Sequence, residues 1–307
     1  MAPTLYVSRQ SFTVFARMKE RTKVTLITGC SSGIGYELMR LFDRPGYHVV
    51  ATALPSSYKA LIDDPATRSE RISVRALDIA DYKSASTLVD EIHDSIGPID
   101  LLINNAGISY RSTVEDMTID DEQRQMQVNY LGPMHLIRCC LPSMRQRRSG
   151  HIINVSSVGG MMAMPTMASY SASKFALEGA SESLWYELKP WKIKVTLVRP
   201  GFINSLAFTK VLYSKKREQG LASPEYEQHY RNMTRFVETI MKRALATSED
   251  VAQRIFRISQ KKRPPLRAAG TIDAFLFYYL RRILPRFLYH KLLYCSLPGV
   301  KRWGPGK

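Results

Sequence analysis

The chain has 307 residues, of which 45% are hydrophobic, enough to bury a sizeable core in one large domain or two small ones. Its four cysteines (Cys30, Cys139, Cys140, Cys295) show neither metal-ligand spacing nor a disulfide framework, and no run of about 18 apolar residues is present, which argues against a metal centre, a secreted disulfide scaffold and an ordinary transmembrane helix. The net charge of +17 is uneven: residues 252–307 carry 13 Lys and Arg against one acid, Asp273, a net +12, which leaves only +5 for the other 251 residues.

The first 17 residues contain Arg9 and Arg17, several hydroxyls and no acid. They read as a disordered extension, or as a start placed too early with Met18 the first residue. A targeting peptide is the alternative, and residues 1–21 are set apart from the folded unit on this ground. A β-branched strand is expected at 24–28, then glycines and a helix pattern at 34–42. Further strands follow at 48–53 and 71–77, the latter ending at Asp78. Helical spacing covers 82–96, a fourth strand 100–104, a long helix 120–147, a fifth strand 150–155, another helix 168–188 and a sixth strand 193–198. Apolar strands alternating with helices predict a parallel sheet covered on both faces. The fold class is therefore α/β, doubly wound and Rossmann-type, in a single domain over residues 22–260. Residues 261–307 form a basic C-terminal extension.

Three local patterns point to chemistry. Thr28-Gly29-Cys30-Ser31-Ser32-Gly33-Ile34-Gly35 joins the first strand to its helix. Gly29 permits a tight turn, Gly33 lets backbone approach a phosphate, and Gly35 lets helix and strand pack closely. The helix N-terminus presents free N–H groups to a pyrophosphate, and Ser31 and Ser32 add hydroxyls. Glycines alone fit a plain turn; the flanking strand and helix argue for a dinucleotide site. Asn104-Asn105-Ala106-Gly107 places small residues at a strand end where open α/β sheets bind ligands, although an asparagine-rich turn reads the same way. Tyr170-Ser171-Ala172-Ser173-Lys174 puts a phenol and an ammonium on one helix face.

With these motifs in place the sequence resembles the classical short-chain dehydrogenase/reductase family over about residues 22–260. The glycine motif matches at 28–35, the strand-four motif at 104–107, and Tyr-x-x-x-Lys at Tyr170 and Lys174. The resemblance implies a catalytic Ser157, 13 residues before the tyrosine, a catalytic Asn129 within Val128-Asn129-Tyr130, and a Pro200-Gly201 loop after the sixth strand. It assigns nucleotide contacts to Gly29, Ser31, Ser32, Gly33, Ile34, Gly35, Asp78, Ile79, Asn105, Ala106, Gly107, Tyr170, Lys174, Pro200, Gly201, Ile203 and Ser205. Ser205 departs from the family's usual threonine but keeps the hydroxyl. Asp78 is matched to an adenine contact; as a plain residue it would cap the next helix. After the second strand the chain reads Ala51-Thr52-Ala53-Leu54-Pro55-Ser56, with no acid to repel a 2′-phosphate. The stretch has no base to pair one either; Ser56, Ser57 or Lys59 is the expected contact, so NADP(H) is favoured over NAD(H).

The implied reaction is hydride transfer between nucleotide and a carbonyl or alcohol, with Tyr170 as general acid in reduction and base in oxidation. Lowering a phenol from ~10 to about 7 takes about 4 kcal/mol, and one ammonium at ~4 Å in an effective dielectric of ~20 supplies about that. Lys174 is the expected source, Ser157 would bond the substrate oxygen, and Asn129 would hold a water linking Lys174 to solvent. Singly these residues are a surface lysine, a turn serine and a cap; their joint spacing favours catalysis.

Residues 202–246 form an insertion expected to cover the substrate. Phe202, Leu206, Phe208, Val211, Leu212, Tyr213, Tyr226, Tyr230, Met233, Phe236 and Met241, with Met161, Met162, Met164 and Met167, suggest an apolar pocket, some of them being ordinary core. The expected substrate is a lipophilic alcohol or ketone (steroid, retinoid or long-chain lipid), in line with a weaker similarity to the steroid and retinol dehydrogenase branch. In the tail, residues 270–295 mix aromatics with Arg281, Arg282, Arg286 and Lys291, the longest apolar run is only 274–280, and Pro285 should divide the helix. The readings are peripheral membrane contact, a lid, or a self-contact. The reduced cysteines favour the cytoplasm, and a homo-oligomer through the helix carrying Tyr170 is implied by the resemblance. A catalytically silent nucleotide-binding regulator and a nucleic-acid binder are the competing classes. Intact Ser157, Tyr170 and Lys174 argue against the first. The apolar tail and the lack of a recognised motif argue for no nucleic-acid partner.

Overall fold

Leu26 and Ile27 enter opposite apolar layers, as do Val49 and Val50, Leu102 and Ile103, and Ile152 and Ile153. The period of two along each strand makes both sheet faces apolar and demands helices on each. A computed structural model describes residues 21–205 and 211–304 of the chain. Its strands are β1 (Lys23–Ile27), β2 (Tyr47–Ala53), β3 (Ile72–Ala76), β4 (Ile99–Asn104), β5 (Tyr110–Arg111), β6 (Gly150–Val155), β7 (Ile193–Arg199), β8 (Leu212–Tyr213) and β9 (Arg267–Ala269). The helices are α1 (Gly33–Phe42), α2 (Pro55–Ile62), α3 (Tyr82–Ser95), α4 (Ile119–Met126), α5 (Gly132–Arg147), α6 (Ala168–Leu188), α7 (Lys215–Glu218), α8 (Glu227–Arg243), α9 (Ser248–Ser259), α10 (Ile272–Ile283) and α11 (Arg286–Ser296).

Seven strands form one parallel sheet in the order β3-β2-β1-β4-β6-β7-β9. Leu38, Met39 and Phe42 of α1 and Val251, Ile255 and Ile258 of α9 cover one face. Leu88 and Ile92 of α3, Leu136, Ile137 and Met144 of α5, and Leu184 and Leu188 of α6 cover the other. The doubly wound α/β fold expected from the sequence is the one observed. Order reverses between β1 and β4, so their carboxyl ends splay and leave a crevice there.

Two boundaries differ from expectation. The helix expected at 120–147 is interrupted by a π-helical turn, Gln127–Leu131, which carries Asn129. The domain does not stop at residue 260: β9 pairs with β7, Leu197 opposite Arg267, so the sheet takes its last strand from the basic extension. Three residues beginning with an arginine give no readable strand period. Pro285 separates α10 from α11 as anticipated. Within the insertion, β8 pairs with β5 and α8 buries Tyr230, Met233 and Val237. Asp116 fastens it, accepting from Tyr230 Oη (2.8 Å), from Ser223 N–H and Oγ (2.9 Å each) and from Thr113 Oγ1 (3.1 Å). No helix among the described residues is long and apolar enough to cross a membrane.

His151 lies buried between β6 and β7, its Nε2 3.0 Å from Thr196 Oγ1. Burial, aided by Lys194, pushes its imidazole down from 6.5 to about 3. The unfolded chain takes up that proton below 6.5 while the folded chain does not, so stability present above 6.5 is lost as pH falls, down to about 3. From pH ~7 to ~5 the wild type should lose about 2 kcal/mol that His151→Gln keeps. Urea unfolding at both pH values measures this, and equal losses would assign the acid sensitivity to other groups.

Candidate active site

The carboxyl ends of β1, β4, β6 and β7 open on a cavity of about 700 Å³. At its nucleotide end two loops form a clasp. Thr28 Oγ1 accepts from the N–H groups of Asn105 and Ala106, both at 3.0 Å. Asn105 Nδ2 donates to the carbonyls of Thr28 (2.9 Å) and Gly29 (3.1 Å). A β-carbon on Gly29, whose φ is +74°, would stand 2.9 Å from Ala106 Cα, and one on Gly35 would collide with the Gly29 carbonyl. At Gly33 the space is open but for Ser248 Oγ, 3.8 Å from where a β-carbon would lie. That hydroxyl faces the cavity, buried and without a hydrogen-bond partner. An unpaired hydroxyl beside a helix N-terminus and a side-chain-free turn fits an anionic pyrophosphate.

Every expected nucleotide residue except Gly35 lines this cavity: Gly29, Ser31, Ser32, Gly33 and Ile34 at the turn, Asp78 and Ile79 after β3, Asn105, Ala106 and Gly107 after β4, and Pro200, Gly201, Ile203 and Ser205 after β7. Gly35 sits behind the wall, in the close packing its sequence position suggested. Near the end of β2, Ser57 reaches the cavity, whereas Ser56 and Lys59 do not. Asp78 accepts from Ala80 N–H (2.9 Å) and pairs with Arg124 at 2.8 Å. It does not cap α3; Asp81 does, accepting from Ser84 N–H at 3.1 Å.

Ser157, Tyr170 and Lys174 come together in the same cavity. Ser157 Oγ accepts from Gly159 N–H at 3.0 Å, and a β-carbon on Gly159 would stand 2.7 Å from Tyr170 Cε1. Lys174 is buried and its Nζ donates to the Val155 carbonyl at 3.0 Å. Burial holds its ammonium down at about 8, with Glu178 opposing. Tyr170 departs from expectation. Burial pushes its phenol up, and the groups that act against burial are the Ser157 hydroxyl and the Arg111 guanidinium, not Lys174. One N–H of the lysine is taken up by a backbone carbonyl, and its two others remain for a ligand in the cavity. Arg111, at the end of β5, escaped the sequence reading; the available signal was a basic residue shortly after Gly107.

Asn129 stays outside the wall, fully buried. Its Oδ1 accepts from Ile108 N–H (2.9 Å), and its Nδ2 donates to the Ile108 carbonyl (2.9 Å) and Ser173 Oγ (3.1 Å). It therefore positions the chain after Gly107 against α6, and only a remaining Oδ1 lone pair is left for the water expected there.

Much of the remaining wall is apolar, with Met162, Met164, Met167, Phe202, Val211, Leu212, Val237 and Met241, while Tyr110, Arg111 and Arg124 add polar groups. Met161 turns instead into a cluster with Val158 and Ala274. Tyr230 and Met233 are core of α8, and Tyr226 and Phe236 do not reach the cavity. Leu206 and Phe208 lie outside the described residues. The tail builds part of the site. Gly201 N–H donates to Thr271 Oγ1 and Phe202 N–H to Asp273 Oδ2, both at 2.8 Å, so the lone acid of the tail holds the Pro200-Gly201 loop. Among the described residues no group of three His, Cys, Asp or Glu is placed to hold a metal ion.

The sequence profile of the short chain dehydrogenase family matches residues 23–216. A dehydrogenase/reductase SDR family member 7B from Xenopus laevis is 31% identical over 87% of this chain and 79% of its own length. A 3-ketodihydrosphingosine reductase from Bacteroides thetaiotaomicron is 32% identical over 86% of this chain and 93% of its own. A short-chain dehydrogenase from Streptomyces avermitilis superposes with a TM-score of 0.75, at 29% identity over 91% of this chain and 98% of that one. Two further solved neighbours hold nicotinamide nucleotides. A Burkholderia phymatum short chain dehydrogenase/reductase is in complex with NAD (TM-score 0.73, 22% identity, 86% and 94% of the two chains). ElxO has NADP bound (TM-score 0.64, 26% identity, 81% and 98%).

Replacing Asp273 by Ala leaves the Phe202 N–H without its acceptor and removes an acid from the first turn of α10. The expected loss is about 1–3 kcal/mol in urea unfolding; an unchanged midpoint would show that the loop holds itself.

Proposed function

The chain belongs to the short-chain dehydrogenase family and is an NAD(P)-dependent oxidoreductase; we propose that it moves a hydride between NADP(H) and a lipophilic secondary alcohol or ketone, such as a steroid, a retinoid or a long-chain lipid. The observation that carries this is one cavity in which a glycine cradle, Tyr170 with Ser157, and a methionine-rich wall meet. When bound, the nicotinamide supplies or accepts the hydride. Tyr170 gives its phenolic proton to the substrate oxygen in reduction and takes it back in oxidation. Ser157 bonds that oxygen and orients it, while Lys174 and Asn129 hold α6 and the chain after β4 in place. Lys174, with its ammonium near the titration point at about 8, is suited to pass a proton onward once a ribose hydroxyl lies beside it. NADP(H) is favoured because the chain after β2 brings Ser57, and no carboxylate of residues 51–57, to the cavity. A relative named for 3-ketodihydrosphingosine adds support for a lipid ketone.

The tail suits peripheral contact with an anionic membrane through residues 270–295. One face of α10–α11 (Ala274, Phe277, Tyr278, Leu293) packs on Met161 and Met162. Opposite it, Ile272, Phe275, Leu276, Ile283 and Phe287 are exposed, with Arg281, Arg282, Arg286 and Lys291 among them. An apolar face edged by cations is the chemistry of an interfacial helix.

Tyr170→Phe should lower turnover of a hydrophobic ketone by about 10²–10⁴-fold while nucleotide binding, followed by NADPH fluorescence, stays near wild type. A variant that keeps most of its rate would remove the tyrosine from the reaction. For the tail, Ile283→Glu with Phe287→Glu should abolish co-sedimentation with phosphatidylserine vesicles at unchanged activity in detergent. Equal sedimentation of both proteins would count against the membrane contact.

A further inference from the structure

Four residues with formal charges line the cavity, and three have partners: Asp78 and Arg124 pair with each other, and Lys174 bonds Val155. Arg111 is the exception among the described residues. It is only 9% exposed, and its Nε is buried with no hydrogen-bond partner. The side chain lies between the main cavity and a small side cleft lined by Val211, Tyr213, Thr234, Val237 and Glu238. Glu238 is exposed at the outer edge of that cleft; its charge acts on Arg111, but no ion pair forms. A guanidinium removed from water without a counter-ion is costly, and such a group persists where a ligand completes it.

The backbone that presents Arg111 is held from several sides. Arg111 stands opposite Tyr213 in the β5–β8 pair, and the next residue, Ser112, bridges to Met167 and donates from its N–H to the Thr166 carbonyl at 2.9 Å. Thr113 N–H donates to Tyr230 Oη at 3.0 Å. This puts the cation on the Tyr170 side of the cavity, beside Val211 and Val237. The pyrophosphate cradle at Gly33 and Ser248 is at the other end, so the nucleotide has its own anion site.

Resting on the oxidoreductase reading, we infer that Arg111 receives an acidic group of the substrate, which is therefore an anionic amphiphile: an apolar chain or ring system bearing a carboxylate or phosphate on the Tyr170 side. The planar fork of a guanidinium matches the two oxygens of either group, and the methionine wall takes the apolar body. A neutral sterol or simple retinol would leave the fork unpaired.

The test titrates dodecanoate, dodecyl phosphate and dodecanol into NADP-loaded wild type, Arg111→Met and Arg111→Lys, by calorimetry. In the wild type at least one of the two anions should bind at least about 10-fold tighter than dodecanol. The carboxylate and phosphate arms distinguish the two headgroups. Arg111→Met should bring that ratio to about one without changing dodecanol affinity, and Arg111→Lys should keep part of it, which also answers a failure of the methionine variant to fold. No preference in the wild type, or one that survives in Arg111→Met, overturns the proposal. Kinetics with 5-oxododecanoate and its methyl ester complete the design. A rise in KM for the acid alone supports substrate recognition, whatever fall in kcat acid and ester share through loss of the cation near Tyr170, whereas a KM rise of equal size for the ester overturns it. The titration reads Arg111 even if no ketone is turned over, so its failure and that of the oxidoreductase reading are separable.

Discussion

Helix α6 meets the sheet through a polar seam, and the placement of Tyr170 depends on that seam. The buried residues of α6 include Ser169, Ser171, Ser173, Lys174, Glu178 and Ser181 as well as Leu177, Leu184 and Leu188. Small hydroxyl side chains bring the helix close to the strands. Hydrogen bonds then fix its register: Asn104 Nδ2 to Asn154 Oδ1, Asn154 Nδ2 to Ser181 Oγ (both 2.8 Å), and Lys174 Nζ to the Val155 carbonyl. Glu178, one turn beyond Lys174, accepts from Arg199 at 2.7 Å and from Arg267 at 3.2 Å, tying α6 to β7 and β9. A buried ion pair adds little net stability over a hydrophobic contact of the same shape, but an α6 shifted by one position would strand the carboxylate. Directional bonds make the position of the phenol relative to the ends of β6 and β7 unique, which apolar packing alone would leave looser.

The basic extension is structurally two things at once. β9 completes the sheet, and Thr271 and Asp273 hold the Pro200-Gly201 loop in the cavity wall. A few residues on, α10 packs on Met161 and Met162 with one face and turns Ile272, Phe275 and Ile283 outward with the other. The same short segment therefore supports the cavity wall, through Met162, and presents an exposed apolar face on its other side.

Much of the site was legible because its chemistry is local in sequence. Gly29, Gly33 and Gly35 act within one turn, Tyr170 and Lys174 within one helical repeat, and the apolar strands alternate between layers with a period of two. Elements without a local period were not legible. β5, β8 and β9 are two or three residues long and exist because a partner strand supplies their hydrogen bonds. Met161, Met162 and Met164 look equivalent in sequence, and all three belong to the cluster that packs with the tail, yet only Met162 and Met164 also line the cavity. Asp116 drew no reading from the sequence and Asp273 stood out only as the one acid of the tail, yet both hold loops, since hydrogen-bond partners more than 70 residues away leave no trace in spacing.

The sequence alone determined the α/β class, the place of the glycine turn after the first strand and the position of Tyr170 four residues before Lys174 on one helix face, because backbone sterics and side-chain periodicity are written locally in the chain. The tertiary structure alone decided the electrostatics. Whether a cation acts on Tyr170 depends on which carbonyl, carboxylate or open space each cation finds after folding. Lys174 found the Val155 carbonyl, while Arg111, nearly 60 residues before Tyr170, was left facing the cavity. Charge interactions fall off with distance through space and solvent, not along the chain, so only the folded arrangement sets them.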